Sequence, residues 1–172
     1  SYLFRIFKTK YFLKKNFFNF LVKDIFLYKN YKNFFKNKNI EHKEMRIGDG
    51  NECLSLKKIL EDRKNELPAF IKIDIEGSEY RIFEEILLYQ NSFTGIGIEL
   101  HDVDIHIEKI KNLIRNLDMK LVHIHGQNPA HIAKNNIPTQ IELTFARNPE
   151  IISSNVKLPH RLDQPANPSF KE

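Results

Sequence analysis

Ile71-Lys72-Ile73-Asp74-Ile75-Glu76-Gly77-Ser78-Glu79-Tyr80 is the stretch on which the fold turns. Phe70 to Ile75 is β-branched, aromatic or apolar except at Lys72 and Asp74, with Pro68 before it and Gly77 after it. A short apolar run bounded by turn residues reads as a buried strand. A strand buried on both faces would be almost wholly apolar. Here Lys72, Asp74 and Glu76 fall on one face by the period of two. The two carboxylates come at the strand's carboxyl end, just before a Gly-Ser turn. Ser78 is placed to cap a helix over residues 79–89, with Ile82, Phe83, Ile86 and Leu87 as its apolar stripe. Strand, acidic end, turn and helix make one βα unit, and open α/β sheets bind ligands beyond the carboxyl ends of their strands. The plain alternative is that Asp74 and Glu76 are solvated loop residues.

Working outward, Ser55 caps an expected helix over 56–63, with Leu56, Ile59 and Leu60 inward. Gly48-Asp49-Gly50-Asn51 reads as a turn; it holds Gly-x-Gly, but no clear strand precedes it and no third Gly follows. Downstream, Thr94 to Leu100 reads as a second buried strand, and its Gly95 and Gly97 share a face where something packs closely. A helix is expected over 104–117 with Ile107, Ile110, Ile114 and Leu117 on one side. Strands follow over 119–125 and 140–145. Helices between strands force parallel right-handed crossovers, whereas the segment from Gly126 to Thr139 shows no helix and leads to an antiparallel strand. The expectation is a mostly parallel α/β sheet with helices on both faces and an antiparallel terminal strand.

The length of 172 residues suits one domain. A lone Cys53 excludes an internal disulfide framework, which points to a reducing, cytoplasmic setting. No apolar run approaches the ~20 residues of a membrane span, and no signal-peptide pattern is present. Residues 1–46 carry twelve Lys and Arg against three acids, so the rest of the chain is net acidic although the whole is +5. Nucleic acid is therefore not an expected partner of the body. Nine of the 14 Phe also lie in this arm. Phe4, Phe7, Tyr11, Lys14, Phe18, Leu21 and Val22 recur at roughly helical spacing, so residues 1–35 are expected to be largely helical. Three roles stay open for the arm. Its rings pack against the body or a second copy of the chain, it offers a membrane or acidic partner a basic surface, or it binds nucleic acid. No stacking motif supports the last. Residues 1–46 are read as the arm, 47–148 as the core and 149–172 as a proline-rich tail.

The three helix-linked strands share one anomaly. The first ends in Asp74 and Glu76, the second in Glu99 and His101, and the third in His123 and His125. Each pair is two residues apart and hence on one face. Buried polar groups need partners, so three pairs in phase are hard to read as packing. Carboxylates with imidazoles supply acid–base chemistry or hard-metal ligation; a network of structural histidines is the alternative. His42, His106, His131 and His160 fall outside the pattern and read as surface residues. No ligand pair at helical spacing favours zinc, and neither a serine nucleophile elbow nor a Walker-type loop is present.

The stretch Ile71-Lys-Ile-Asp-Ile-Glu-Gly-Ser-Glu resembles the Lys-Ile-Asp-x-Glu-Gly-x-Glu signature of the FkbM-type methyltransferase family. The helix after Ser55, Ile98-Glu-Leu-His, Leu121-Val-His-Ile-His-Gly-Gln-Asn, Glu142-Leu-Thr-Phe and the Leu158-Pro-His-Arg-Leu-Asp-Gln-Pro tail fit the same family, over about residues 46–170. The resemblance implies a Rossmann-like class I methyltransferase fold in which the strand before Asp74 is the fourth. It also implies S-adenosylmethionine as methyl donor and a hydroxyl acceptor on a glycan or other small molecule. Such folds begin with a strand and a Gly-rich turn, but residues 1–46 contain no Gly. The chain therefore reads as the C-terminal part of a catalytic domain, truncated in its N-terminal half and binding the cofactor weakly or not at all by itself.

The first expectation is thus an O-methyltransferase domain or its C-terminal fragment, with Asp74, Glu76 and His101 as catalytic residues. Asp74, Gly77 and Ser78 line the cofactor. Asp74, Glu99 and His101 ligate magnesium or manganese, by analogy with catechol O-methyltransferase, and His123 and His125 form a second tier. The rival is a non-catalytic scaffold derived from such an enzyme, held to a partner or membrane periphery by its basic arm.

Overall fold

The computed structural model describes residues 17–48, 52–128, 130–133, 136–150, 158, 160 and 163–165. Two units are distinct, Ser1–Glu44 and Met45–Glu172. In the first, helix α1 spans Phe17–Phe34. The helical expectation for the arm holds over that span; residues 1–16, and the side chains of Phe18 and Leu21, lie outside the described residues. Val22, Ile25, Phe26, Leu27, Tyr28, Tyr31 and Phe34 are exposed. After the helix, Phe35 stacks on His42 at 4.0 Å between ring centres.

In the second unit, two short parallel strands come first, β1 (Arg46–Ile47) and β2 (Cys53–Leu54). Helix α2 covers Leu56–Asp62, and the Ser55 hydroxyl accepts from the Lys58 N–H at 3.2 Å, as the sequence leads one to expect. Strand β3 (Ala69–Ile73) leads through a turn and a 3-10 segment (Glu79–Arg81) into α3 (Phe83–Leu88). Strand β4 (Phe93–Leu100), helix α4 (Val103–Asn116), and strands β5 (Lys120–Gly126) and β6 (Ile141–Ala146) complete the unit.

The sheet order is β3-β4-β6-β5. β3 and β4 are parallel, while β6 runs antiparallel to both β4 and β5. The last of the described strands is thus internal to the sheet and separates β5 from β4. Register sorts the side chains by face. Ile71 and Ile73 lie beside Ile96 and Ile98, which pair with Phe145 and Leu143; Leu100 pairs with Ile141. These residues form one core with Leu56, Leu60, Ile82, Phe83, Ile86, Val103, Ile110 and Leu113 from the helical segments. Each such side chain contributes about 2 kcal/mol by leaving water.

The opposite face carries Phe70 and Lys72, Gly95, Gly97 and Glu99, Thr144 and Glu142, and His123 and His125. Its side chains are half-buried or exposed apart from the strand-centre glycines. The expectation of helices on both faces is therefore not met among the described residues of this unit. The close approach foreseen over the glycines is made by Phe70. A Cβ at Gly95 would sit 3.0 Å from the Phe70 ring and 2.8 Å from the Phe145 carbonyl oxygen.

Candidate functional site

Strand β3 stops at Ile73, so its alternation does not carry Asp74 and Glu76 onto one face as expected. A turn does the work instead. Glu76 and Gly77 both take positive φ, 54° and 92°. Glycine suits the second of these because no Cβ opposes it. Nor does Ser78 cap a continuous helix. Its backbone is not extended and its side chain makes no capping bond, so a 3-10 turn precedes α3. The turn is closed by Glu79, whose carboxylate folds back on the chain. Its Oε1 accepts the N–H of Ile75 and the N–H of Gly77, each at 3.1 Å.

Glu79 is 0 % exposed. The same Oε1 lies 3.1 Å from Nδ1 of His101, just past the end of β4. Because Oε1 already receives two N–H groups it acts as an acceptor, so Nδ1 carries the hydrogen and donates it. In the neutral ring Nε2 then carries the lone pair. It faces Glu76 Oε2 at 3.6 Å and Glu99 Oε1 at 3.9 Å. The Tyr80 hydroxyl donates to the His101 carbonyl oxygen and so holds the backbone as Glu79 holds the ring. Burial pushes the Tyr80 hydroxyl far above its usual range, with Glu79 adding to the rise. The other oxygen of Glu79, Oε2, is buried and has no hydrogen-bond partner among the described residues.

Asp74 is exposed at the mouth of this turn. Asp74, Glu79 and His101 each present a ligand-type atom within 4.8 Å of the others. Glu99 stands beside them. Burial, and next the charge of Asp74, push its carboxyl above the ordinary range, while Lys72 at 3.9 Å opposes the rise. Lys72 also binds Glu142 Oε1 at 2.7 Å, and Glu142 Oε2 lies 3.9 Å from Nδ1 of His125. Glu142 is the register partner of both Glu99 and His125. The polar ends of β4 and β5 are thus linked through β6 rather than touching.

The structure therefore brings Asp74, Glu76, Glu99 and His101 together and sets His123 and His125 apart from them. Gly77 and Ser78 line the turn, but the Gly77 N–H is already bound to Glu79. Glu79 escapes notice as a site residue in the sequence because an acid at a helix start reads as a solvated cap. The one signal was its place as the last carboxylate of Asp-x-Glu-Gly-x-Glu. Asp163 was also missed. Its carboxylate is almost wholly buried, with Oδ1 2.9 Å from Nε2 of His123 and Oδ2 accepting the His160 N–H at 2.6 Å. His160 is half-buried, its ring centre 6.0 Å from that of His123, rather than a plain surface residue. His106 is half-buried as well, 4.0 Å from the Tyr80 ring.

A family model described as the methyltransferase FkbM domain matches residues 12–128. The chain belongs to the FkbM methyltransferase family. The match takes in Asp74, Glu79, Glu99, His101, His123 and His125. It begins inside the basic arm, ahead of the region from residue 46 that carries the resemblance read from sequence, and ends before β6. No curated protein and no solved structure matches the chain.

The family assignment makes this a methyltransferase domain, and such domains in general use S-adenosylmethionine. The exposed carboxylate of Asp74 in this turn suits the cationic sulfonium end of that donor. Among the described residues no glycine-rich turn joins a strand to a helix ahead of β3, so backbone amides for the rest of the donor are not offered there. No helix among the described residues is long and apolar enough to cross a membrane.

Proposed function

We propose that this chain is an S-adenosylmethionine-dependent O-methyltransferase domain, acting on a hydroxyl of a glycan or related metabolite. One observation carries the reading: a fully buried Glu79 locks His101 beside exposed Asp74, beyond the carboxyl ends of the parallel strands β3 and β4. That is where open α/β sheets bind ligands. Asp74 and the Gly77-Ser78 turn would line the donor, which supplies an electrophilic methyl group when bound. A hydroxyl is a weak nucleophile and must lose its proton to a base or meet a Lewis acid. In the neutral ring the Nε2 lone pair of His101 would point away from Glu79, the form that a general base requires. Glu79 is a positioning residue, and Asp74 and Glu76 are the exposed anions beside His101. His125 and Glu142 would meet the more distant hydroxyls of a polyhydroxylated acceptor.

The chain by itself would hold the donor weakly, because each hydrogen bond that a Gly-rich turn would supply is worth about 1 kcal/mol. Ligand-observed saturation-transfer NMR, which detects weak binding, tests the reading. Saturable transfer from the protein to S-adenosylmethionine, reduced in Asp74→Asn, is expected; no saturable transfer at any cofactor concentration overturns it. The rival, a non-catalytic module derived from a methyltransferase, draws on the lack of any Gly in residues 1–46. For that module the exposed aromatic and apolar side chains of α1, interleaved with Lys23, Lys29 and Lys32, would carry the membrane-surface or partner contact.

A further inference from the structure

We propose that Asp74, Glu79 and His101 form a binding site for a divalent first-row cation such as Mn2+. The three ligand-type atoms lie within 4.8 Å of one another, so small side-chain shifts bring all of them to one ion at ordinary ligand distances of about 2.0–2.3 Å. A cluster of acids alone would not be enough. The second observation is Glu79 itself. It is 0 % exposed, and one oxygen takes the Ile75, Gly77 and His101 N–H groups while the other, Oε2, has no partner. A buried carboxylate oxygen left unpaired is costly, and a cation supplies the missing partner.

His101 is prepared in the same way. Its Nδ1 lies 3.1 Å from Glu79 Oε1, so ring and carboxylate face one point, and Nδ1 gives up its hydrogen when it ligates the ion. The expected ligand set of Asp74, Glu99 and His101 is therefore altered at one position. Glu99 lies beside Lys72 and His101, each at 3.9 Å, and stands outside the group of three. Two carboxylates with one imidazole favour manganese over magnesium, because imidazole is a poor ligand for the harder ion. A hydroxyl bound to such a cation loses its proton more readily. That use of the ion rests on the methyltransferase reading; its binding does not.

The experiment is a calorimetric titration of the whole chain with MnCl2, paired with loss of the free-ion electron paramagnetic resonance signal. One saturable equivalent per chain is expected, with tighter binding than for MgCl2. Asp74 is exposed, so Asp74→Asn should leave the circular dichroism spectrum unchanged while weakening Mn2+ binding about tenfold or more. His101→Gln should do the same and serves as the second variant. Absence of saturable binding, or binding unchanged in both variants, overturns the site. The S-adenosylmethionine measurement is made without metal. Mn2+ binding without cofactor binding leaves the cation site standing and removes the methyltransferase reading, and the reverse result removes only the cation.

Discussion

The two polar ends of the sheet were equally conspicuous as sequence, yet they differ in closure. At β5, His123 and Asp163 satisfy each other at 2.9 Å, and the second oxygen of Asp163 closes the turn of its own segment on the His160 N–H. At β3 and β4, Glu79 holds a turn and an imidazole with one oxygen and leaves the other without a partner. The His123–Asp163 pair fastens the tail to a strand, although Gln127 Oε1 just past β5 is, like Glu79 Oε2, buried without a hydrogen-bond partner among the described residues. The second leaves its unpaired oxygen on the residue that positions His101. A buried polar group that is satisfied contributes to the fold, whereas one that is rigid and unsatisfied points to a ligand.

Removing the carboxylate on which the open end depends should have the largest effect. Glu79→Ala leaves the Ile75 and Gly77 N–H groups and His101 without their acceptor, and should cost about 3 kcal/mol or more of stability in urea denaturation. Glu79→Gln keeps an acceptor oxygen and should cost less. If Glu79→Ala is no worse than a surface change, the open end is not rigid and the contrast fails.

A smaller loss follows from the turn beneath it. Gly77 has φ of 92°, and a Cβ added there would meet nothing within 4 Å, so backbone conformation and not space is the constraint. Gly77→Ala should cost about 1–2 kcal/mol, seen as a lower denaturation midpoint. An unchanged midpoint would show that the turn adopts another conformation.

The closed end should give less. Asp163→Ala removes the contact to His123 and the bond from the His160 N–H, and should cost about 1–2 kcal/mol. Its sharper readout is proteolysis: cleavage around residues 158–165 should speed up while β4 stays protected. Equal protection in both proteins would mean that the tail is held by something other than Asp163.

The bridge between the two ends should matter least. Lys72 is half-exposed and pairs with Glu142 at 2.7 Å. Lys72→Met should change stability by about 0–1 kcal/mol, and by less in high salt. A larger loss would mean that the two ends form one coupled network, which a double substitution with Asp163→Ala would measure.

The sequence by itself determined most of the elements, and the faces within β4 and β5. Alternation placed Glu99 opposite Ile98 and Leu100, grouped His123 with His125, and predicted a close neighbour over Gly95 and Gly97. Ser55 identified the start of α2 because its cap acts within three residues. What depends on chain neighbours a few residues apart is legible in this way. Tertiary structure decided which strand lies beside which, and β6 entered between β4 and β5 although it comes last in the chain. A period of two says which residues share a face but nothing about the order of strands, which follows from hydrogen bonding between distant segments. It decided the burial of Glu79 too. A glutamate beside a Gly-Ser turn has the same local pattern whether it caps a solvated helix or folds inward. Only the arrival of His101, 22 residues later, and the acceptor-hungry N–H groups of Ile75 and Gly77 make the inward position the stable one.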